Sequence, residues 1–244
     1  MKYLFFLFLS TGILHNAFAQ VDDTTQYYLK YRATGILNNT NDTRSQVLAN
    51  TLALSLTRKK IELNSNNSWI YGRQDKQLTN NDFTSTLNLD LLKDLQRFYY
   101  WGLANFTASY SLKINRQLQA GAGVGYSVLN KPGISLILSD GILYETSEMQ
   151  PQPTTTEKYH TFRNSFRIKH KLALSKRLSF DGAHFWQPSL SRFDDYFIQS
   201  SSSLSYQLRK WLGLTTAITY NKLSRTKREN LLVSFGLTAE TNFR

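Results

Sequence analysis

From Tyr27 to Leu37 the side chains alternate strictly between two characters. Tyr27, Leu29, Tyr31, Ala33, Gly35 and Leu37 fall on one face; Tyr28, Lys30, Arg32 and Thr34 fall on the other. A period of two belongs to an extended strand, whose side chains point to opposite sides in turn. This segment therefore separates an apolar medium from a polar one, and the cluster Asn38 to Asp42 then turns the chain. The pattern recurs at Gln46–Thr57, Ile61–Tyr71, Phe83–Leu91, Tyr99–Leu112, Gln117–Val128 and Ile134–Glu145. After a polar stretch that reads as a long loop, Thr146–Lys158, it returns at His160–Leu172, Leu178–Trp186, Tyr196–Leu208, Leu212–Leu223 and Asn230–Phe243. Repeated segments of about ten residues, with no helical period between them, predict an all-β chain: an antiparallel transmembrane β-barrel of about 12 strands.

The start of the chain fits export. Lys2 precedes an apolar run, Tyr3–Leu9, and Ala17-Phe18-Ala19 supplies a small-x-small cleavage site. Residues 1–19 are expected to be a signal peptide and residues 20–244 a single outer-membrane barrel domain. A retained helical anchor needs about 20 apolar residues, and Ser10, Thr11, His15 and Asn16 interrupt this run.

Connection lengths offer an independent check on the count. Twelve strands put both termini on one side, the periplasmic side, and alternate connections should be short. Arg58–Lys60, Lys93–Arg97, Asn130–Gly133, Ser175–Arg177 and Arg209–Trp211 are short; Gly72–Thr79, Thr146–Lys158, Pro188–Asp195 and Ser224–Arg228 are longer. Only Lys113–Asn115 breaks the alternation.

Composition narrows the chemistry. With 14 Tyr and 15 Phe against 2 Met, the chain suits strands and membrane-interface girdles, although a soluble β-sandwich would accept the same residues. The absence of cysteine excludes disulfides, thiolate metal sites and cysteine nucleophiles. A net charge of +12 would suggest nucleic acid in a cytosolic protein. Behind a secretory leader it points to lipid phosphates or to an interior that attracts anions.

Phe98-Tyr99-Tyr100-Trp101-Gly102 and Gln119-Ala120-Gly121-Ala122-Gly123-Val124-Gly125-Tyr126 resemble the family called domain of unknown function 481. So do Gln187-Pro188-Ser189-Leu190 and Phe193-Asp194-Asp195-Tyr196 with the strand pair that follows. The resemblance implies an exported barrel, some members being labelled salt-stress-induced outer-membrane proteins. It implies outer-membrane lipids, lipopolysaccharide and the barrel-assembly machinery as partners, and it supplies no activity. The terminal aromatic, Phe243, sits one residue early, before Arg244.

Three constellations merit weighing. Gly121, Gly123 and Gly125 share one strand face and do not form the strand-to-helix dinucleotide fingerprint. They read as glycines that let a strand bend and its neighbours pack closely. Lys30, Arg32, Arg163, Arg167 and Lys169 fall on inward faces, where rings of cations line anion-selective pores. Asp90, Glu145, Asp181 and Glu240 share those faces, which favours the alternative, an ion-pair network that fills the lumen. Catalysis finds no support: the residues two beyond His160, His170 and His184 are Phe162, Leu172 and Trp186, not serine. Asp194-Asp195 beside His184 lacks a second acid pair, and reads as a loop acid pair for water or a divalent cation. No catalytic residue, metal site or cofactor is expected, nor any contact with nucleic acid; whether a small solute passes is left open.

Overall fold

The computed structural model describes residues 25–40, 43–91, 97–152 and 154–243. The leader, with its expected cleavage site, lies outside them. Thirteen strand segments follow one another: β1 (Thr25–Asn39), β2 (Arg44–Arg58), β3 (Ile61–Gln74), β4 (Gln77–Leu91), β5 (Phe98–Ser109), β6 (Ile114–Lys131), β7 (Ile134–Gln152), β8 (Thr155–Asn164), β9 (Phe166–Ala173), β10 (Leu178–Pro188), β11 (Tyr196–Arg209), β12 (Leu212–Leu223) and β13 (Arg228–Phe243).

β8 and β9 are two halves of one stave, because both pair with β7 and only Ser165 separates them. Twelve antiparallel staves result, as the alternating segments predict. The sheet closes on itself: β1 pairs with β13 from Tyr27↔Phe243 to Gly35↔Phe235, and every other stave pairs with its sequence neighbours. Closure leaves no edge strand with unpaired amides, the condition for a sheet to survive in hydrocarbon.

An even stave number places Thr25 and Phe243 on the same rim, here termed proximal, and the opposite rim is distal. The distal hairpins are more regular than their sequences suggest. Gly72–Thr79 and Thr146–Lys158, read above as longer loops, are mostly strand. β3 and β4 close at Asp75-Lys76, whose φ values of 48° and 71° are those of a type I′ turn matched to strand twist. β7 and β8 stay in register to Met149↔Glu157, so this hairpin stands out from the wall. Its polar residues hid the strand because the partner that buries Met149 comes from elsewhere in the chain. The parity-breaking Lys113 belongs to a tight turn, Tyr110–Lys113, with a positive φ of 59° at Lys113.

The barrel is an inside-out arrangement. Leu54, Leu87, Leu118, Ile142, Ile218, Val233 and Leu237 are exposed on the outer wall. Aromatic residues gather toward its two ends. Tyr27 stacks on Phe243 at 5.7 Å and Phe98 meets Tyr126 at 4.7 Å proximally; Phe83 meets Phe106 at 6.4 Å and Tyr144 meets Phe162 at 5.3 Å distally. An aliphatic band between two aromatic girdles is the exterior of a membrane barrel. No helix among the described residues is long and apolar enough to cross a membrane.

Candidate functional site

Among the described residues, fully buried charge is confined to the lumen. Ser165 interrupts the stave, and its amide bonds the Gly141 carbonyl at 2.9 Å. Beyond the break, residues 189–195 fold back on β8: Leu190 N–H donates to Phe162 O at 2.8 Å and Ser189 N–H to Asp195 O at 2.8 Å. That return brings Asp195 into the barrel beside Arg163 and Glu145, all three with side chains 0% exposed.

Arg163 is saturated. Nε donates to Glu145 Oε2 at 2.7 Å, Nη2 to Glu145 Oε1 and Asp195 Oδ1 at 3.0 Å each, and Nη1 to the Gln187 and Asp195 carbonyls at 3.1 and 3.0 Å. Glu145 also accepts from Tyr159 OH at 2.7 Å and Gln119 Nε2 at 2.7 Å. From the β12–β13 turn, Arg225 reaches in to pair with Asp195 and Glu157, its guanidinium 3.7 Å above the Tyr159 ring. Burial opposes the charge on Arg225, but the Asp195 carboxylate outweighs it and holds the guanidinium pKa above its ordinary value. Three acids and two guanidinia thus alternate, and removing Arg163, Asp195 or Arg225 leaves two like charges side by side.

An apolar lid covers this network distally. Leu112, Ile114, Met149, Phe197 and Leu223 form one cluster, each 4% exposed or less, with Tyr159 against it. Leu112 arrives on the β5–β6 turn, which Asp82 holds down by accepting from Ser109 Oγ at 2.8 Å and from Ser111 N and Oγ at 3.0 and 2.7 Å. Asn230 of β13 reaches Ser111 Oγ at 3.4 Å, across the mouth.

Arg167 lies deeper, 2% exposed. Its Nε donates to Ser139 Oγ at 2.8 Å, its Nη1 to Asn88 Oδ1 at 3.2 Å, and its guanidinium sits 5.0 Å from the Trp101 ring centroid. The glycines explain that ring's place. A Cβ at Gly123 or at Gly141 would lie 2.5 Å from Trp101, and one at Gly125 would run into the Tyr99 ring. At Gly121 it would meet the β7 backbone. Facing inward, Gly121, Gly123 and Gly125 make the room that Tyr99, Trp101 and Leu143 occupy.

The sequence-marked charges do not form one ring. Lys30 and Glu240 meet at 3.9 Å near the proximal end, where Tyr28 OH donates to Glu240 at 2.7 Å, and Asp181 is within electrostatic reach. Arg32 Nη2 donates to Ser203 Oγ at 2.9 Å, and Lys169 lines the cavity. Asp90 is buried, opposite Glu62 and Trp101. Arg163 pairs with Glu145 and Asp195 instead of with Asp90, Asp181 or Glu240. The sequence offered Asp195 only as half of a loop acid pair and missed Arg225, Glu157 and Tyr159, because segments that read as connections carry no inward or outward periodicity, although Glu157 and Tyr159 belong to β8. Asp195 corrects the cation-site reading, since guanidinia occupy its carboxylate, while Asp194 stays exposed beside Arg192.

What remains of the lumen is a cavity of about 460 Å³ whose lining runs from Tyr28 toward the proximal rim to Asp82 and Ser111 toward the distal one, with small neutral groups such as Thr51, Ser68, Thr84 and Thr219 and the cations Arg32 and Lys169. A serine–histidine contact does exist, but outside the barrel: His184 Nδ1 lies 2.7 Å from Ser200 Oγ and His184 Nε2 lies 3.1 Å from His170 Nε2. Acyl transfer needs amide donors aimed at an oxyanion. Around Ser200 the strand ladders to β10 and β12 already engage the backbone. Among the described residues no group of three or more His, Asp or Glu side chains is placed to hold a metal ion.

Solved structures of similar shape include the NanC porin (TM-score 0.47, 12% identity, 88% of this chain and 99% of that one) and an outer membrane channel from Pseudomonas putida F1 (0.45, 10%, 92% and 97%). A third is the translocator domain of autotransporter NalP from Neisseria meningitidis (0.44, 11%, 91% and 90%). At that level of likeness nothing about this chain follows from them. No curated protein matches the sequence. The profile of the family described as "Protein of unknown function, DUF481" matches residues 32–239, which is most of the barrel. The chain belongs to that family.

Proposed function

We propose that this protein is a non-enzymatic barrel of the outer membrane, exported through a cleavable leader, that serves the envelope as a closed, structural or stress-related element. The observation that carries this reading is the buried Glu145–Arg163–Asp195 cluster beneath the Leu112 lid. An ion crossing there would have to displace charges that are already paired and dry, which is strongly unfavourable. The girdled exterior supports a membrane location, with outer-membrane lipids and lipopolysaccharide as surroundings and the barrel-assembly machinery as a transient partner. Two measurements test the proposal. The chain should fractionate with outer membranes and migrate faster on gels before boiling than after, since closed hydrogen bonding resists detergent. In planar bilayers it should be silent; recovery as a soluble periplasmic monomer, or a steady open conductance, would refute it.

A second reading, a narrow anion-preferring channel, draws on one feature: Arg32 and Lys169 face the 460 Å³ cavity. Their field would concentrate anions if the distal lid opened. Conductance that appears only after the lid is disrupted would favour this reading.

A further inference from the structure

Charge is divided unequally between the two rims. Each of the five proximal turns carries exposed cations: Lys59–Lys60, Arg97, Lys131, Lys176–Arg177 and Arg209–Lys210. Among the described residues of those turns there is no Asp or Glu, and in residues 92–96 the pair Lys93 and Asp94 cancels. The acids nearest that end, Glu62, Asp90, Asp181 and Glu240, sit on inward-facing positions of their strands. The distal rim mixes the two signs: Asp75, Glu148, Asp194 and Glu229 stand among its cations, and several of these meet them. Arg116 and Lys158 lie 2.8 and 3.6 Å from Glu148, Arg192 lies 3.4 Å from Asp194, and Lys222 lies 3.8 Å from Glu229.

The proximal cations also stand at a defined depth. Tyr27, Phe243, Phe98, Tyr206 and Trp211 form the outward aromatic girdle just inside them. Arg97 ties the two layers together, its Nη1 donating to Tyr126 OH at 3.2 Å. Aromatic girdles sit at the headgroup level, so cations one step beyond face lipid phosphates. Their spread around the whole perimeter matches many small anions rather than one macromolecule. Solvation alone accounts for exposure, but not for the segregation of sign. We propose that the proximal rim is a collar for the phosphodiester headgroups of anionic phospholipids in the leaflet on the side of the chain ends. This rests on the reading that the barrel spans a bilayer.

The test refolds the full chain into phosphatidylcholine vesicles containing phosphatidylglycerol and measures the association of spin-labelled forms of both lipids with the barrel. A contact worth about 1 kcal/mol per cation corresponds to roughly fivefold. Phosphatidylglycerol should be preferred about three- to fivefold at low salt, and the preference should fall toward unity at high salt. Lys59→Gln, Lys60→Gln, Lys176→Gln and Arg177→Gln together should bring it near unity. The distal set Arg44→Gln, Lys76→Gln, Lys158→Gln and Lys227→Gln should leave it intact. No preference in the unaltered chain, or equal loss in both sets, overturns the collar. Insertion is scored separately by migration on unboiled gels: a chain that fails to insert overturns the barrel reading, whereas an inserted chain without lipid preference overturns the collar alone.

Discussion

Replacing Arg163 by Met keeps most of the side-chain volume and removes the guanidinium from between Glu145 and Asp195. The two carboxylates, each 0% exposed, then face each other with one cation, Arg225, still on Asp195. Glu145 retains hydrogen bonds from Tyr159 and Gln119 but no charge partner in the network. Breaking a buried pair by removing one partner costs about 3–5 kcal/mol, because the remaining charge stays desolvated. With a urea slope of about 2 kcal/mol per molar, the unfolding midpoint should drop by roughly 1.5–2.5 M. The assay is urea titration of the barrel in detergent, followed by the loss of the fast-migrating form on unboiled gels. Adding Glu145→Gln to Arg163→Met should recover part of the loss, since a neutral amide removes the orphaned charge. Arg163→Lys should fall in between, because one ammonium cannot reach the Gln187 and Asp195 carbonyls and both carboxylates together. A midpoint shift below about 0.3 M for Arg163→Met, or no recovery in the double variant, would refute the view that this network is dry and holds the distal end closed.

Three further outcomes follow from the geometry. Leu112→Asp puts a charge into a cluster of fully buried apolar side chains and should turn silent bilayers conductive, with anion preference from Arg32 and Lys169; silence in this folded variant would refute the lid as the barrier. Gly125→Val sets a branched side chain against the Tyr99 ring and should cost about 1–3 kcal/mol, with Tyr99→Ala in the same chain relieving part of it; additive losses in the urea midpoint would count against the cradle. In this cysteine-free chain, a cysteine at Gln152 on the protruding distal hairpin should label with an impermeant reagent on intact cells, and one at Lys59 should not; the reverse pattern would invert the orientation.

Much of the architecture was legible because a strand writes its two faces into alternate residues. Tyr27 through Leu37 announced an outer and an inner face, and Phe162, Arg163, Phe166 and Arg167 did so even across the break at Ser165, where the inward parity is unchanged. Even the weak, Asn-rich Ile61–Tyr71 proved to be a stave, its outward Asn67 bonded to Ser85 and Ser65. Alternation faded where polarity stopped reporting burial. Thr146–Lys158 is hydrophilic yet continues the ladder, because Met149 is covered by Leu112, Phe197 and Leu223, residues from three other places in the chain.

The sequence by itself thus determined an all-β barrel, its stave number, the rim shared by its ends and the set of side chains that face inward. Each of these is a local property, set by spacing and turn length. Only the tertiary structure decided which inward charges meet. Arg163 chose Glu145 and Asp195 because the 189–195 connection folds back beneath β8, and Arg225 joined them from a turn 30 residues further along. Lys30 and Glu240 met because barrel closure sets β1 beside β13. Pairing across a lumen depends on ring closure and on where loops return, and neither leaves a periodic trace in the chain.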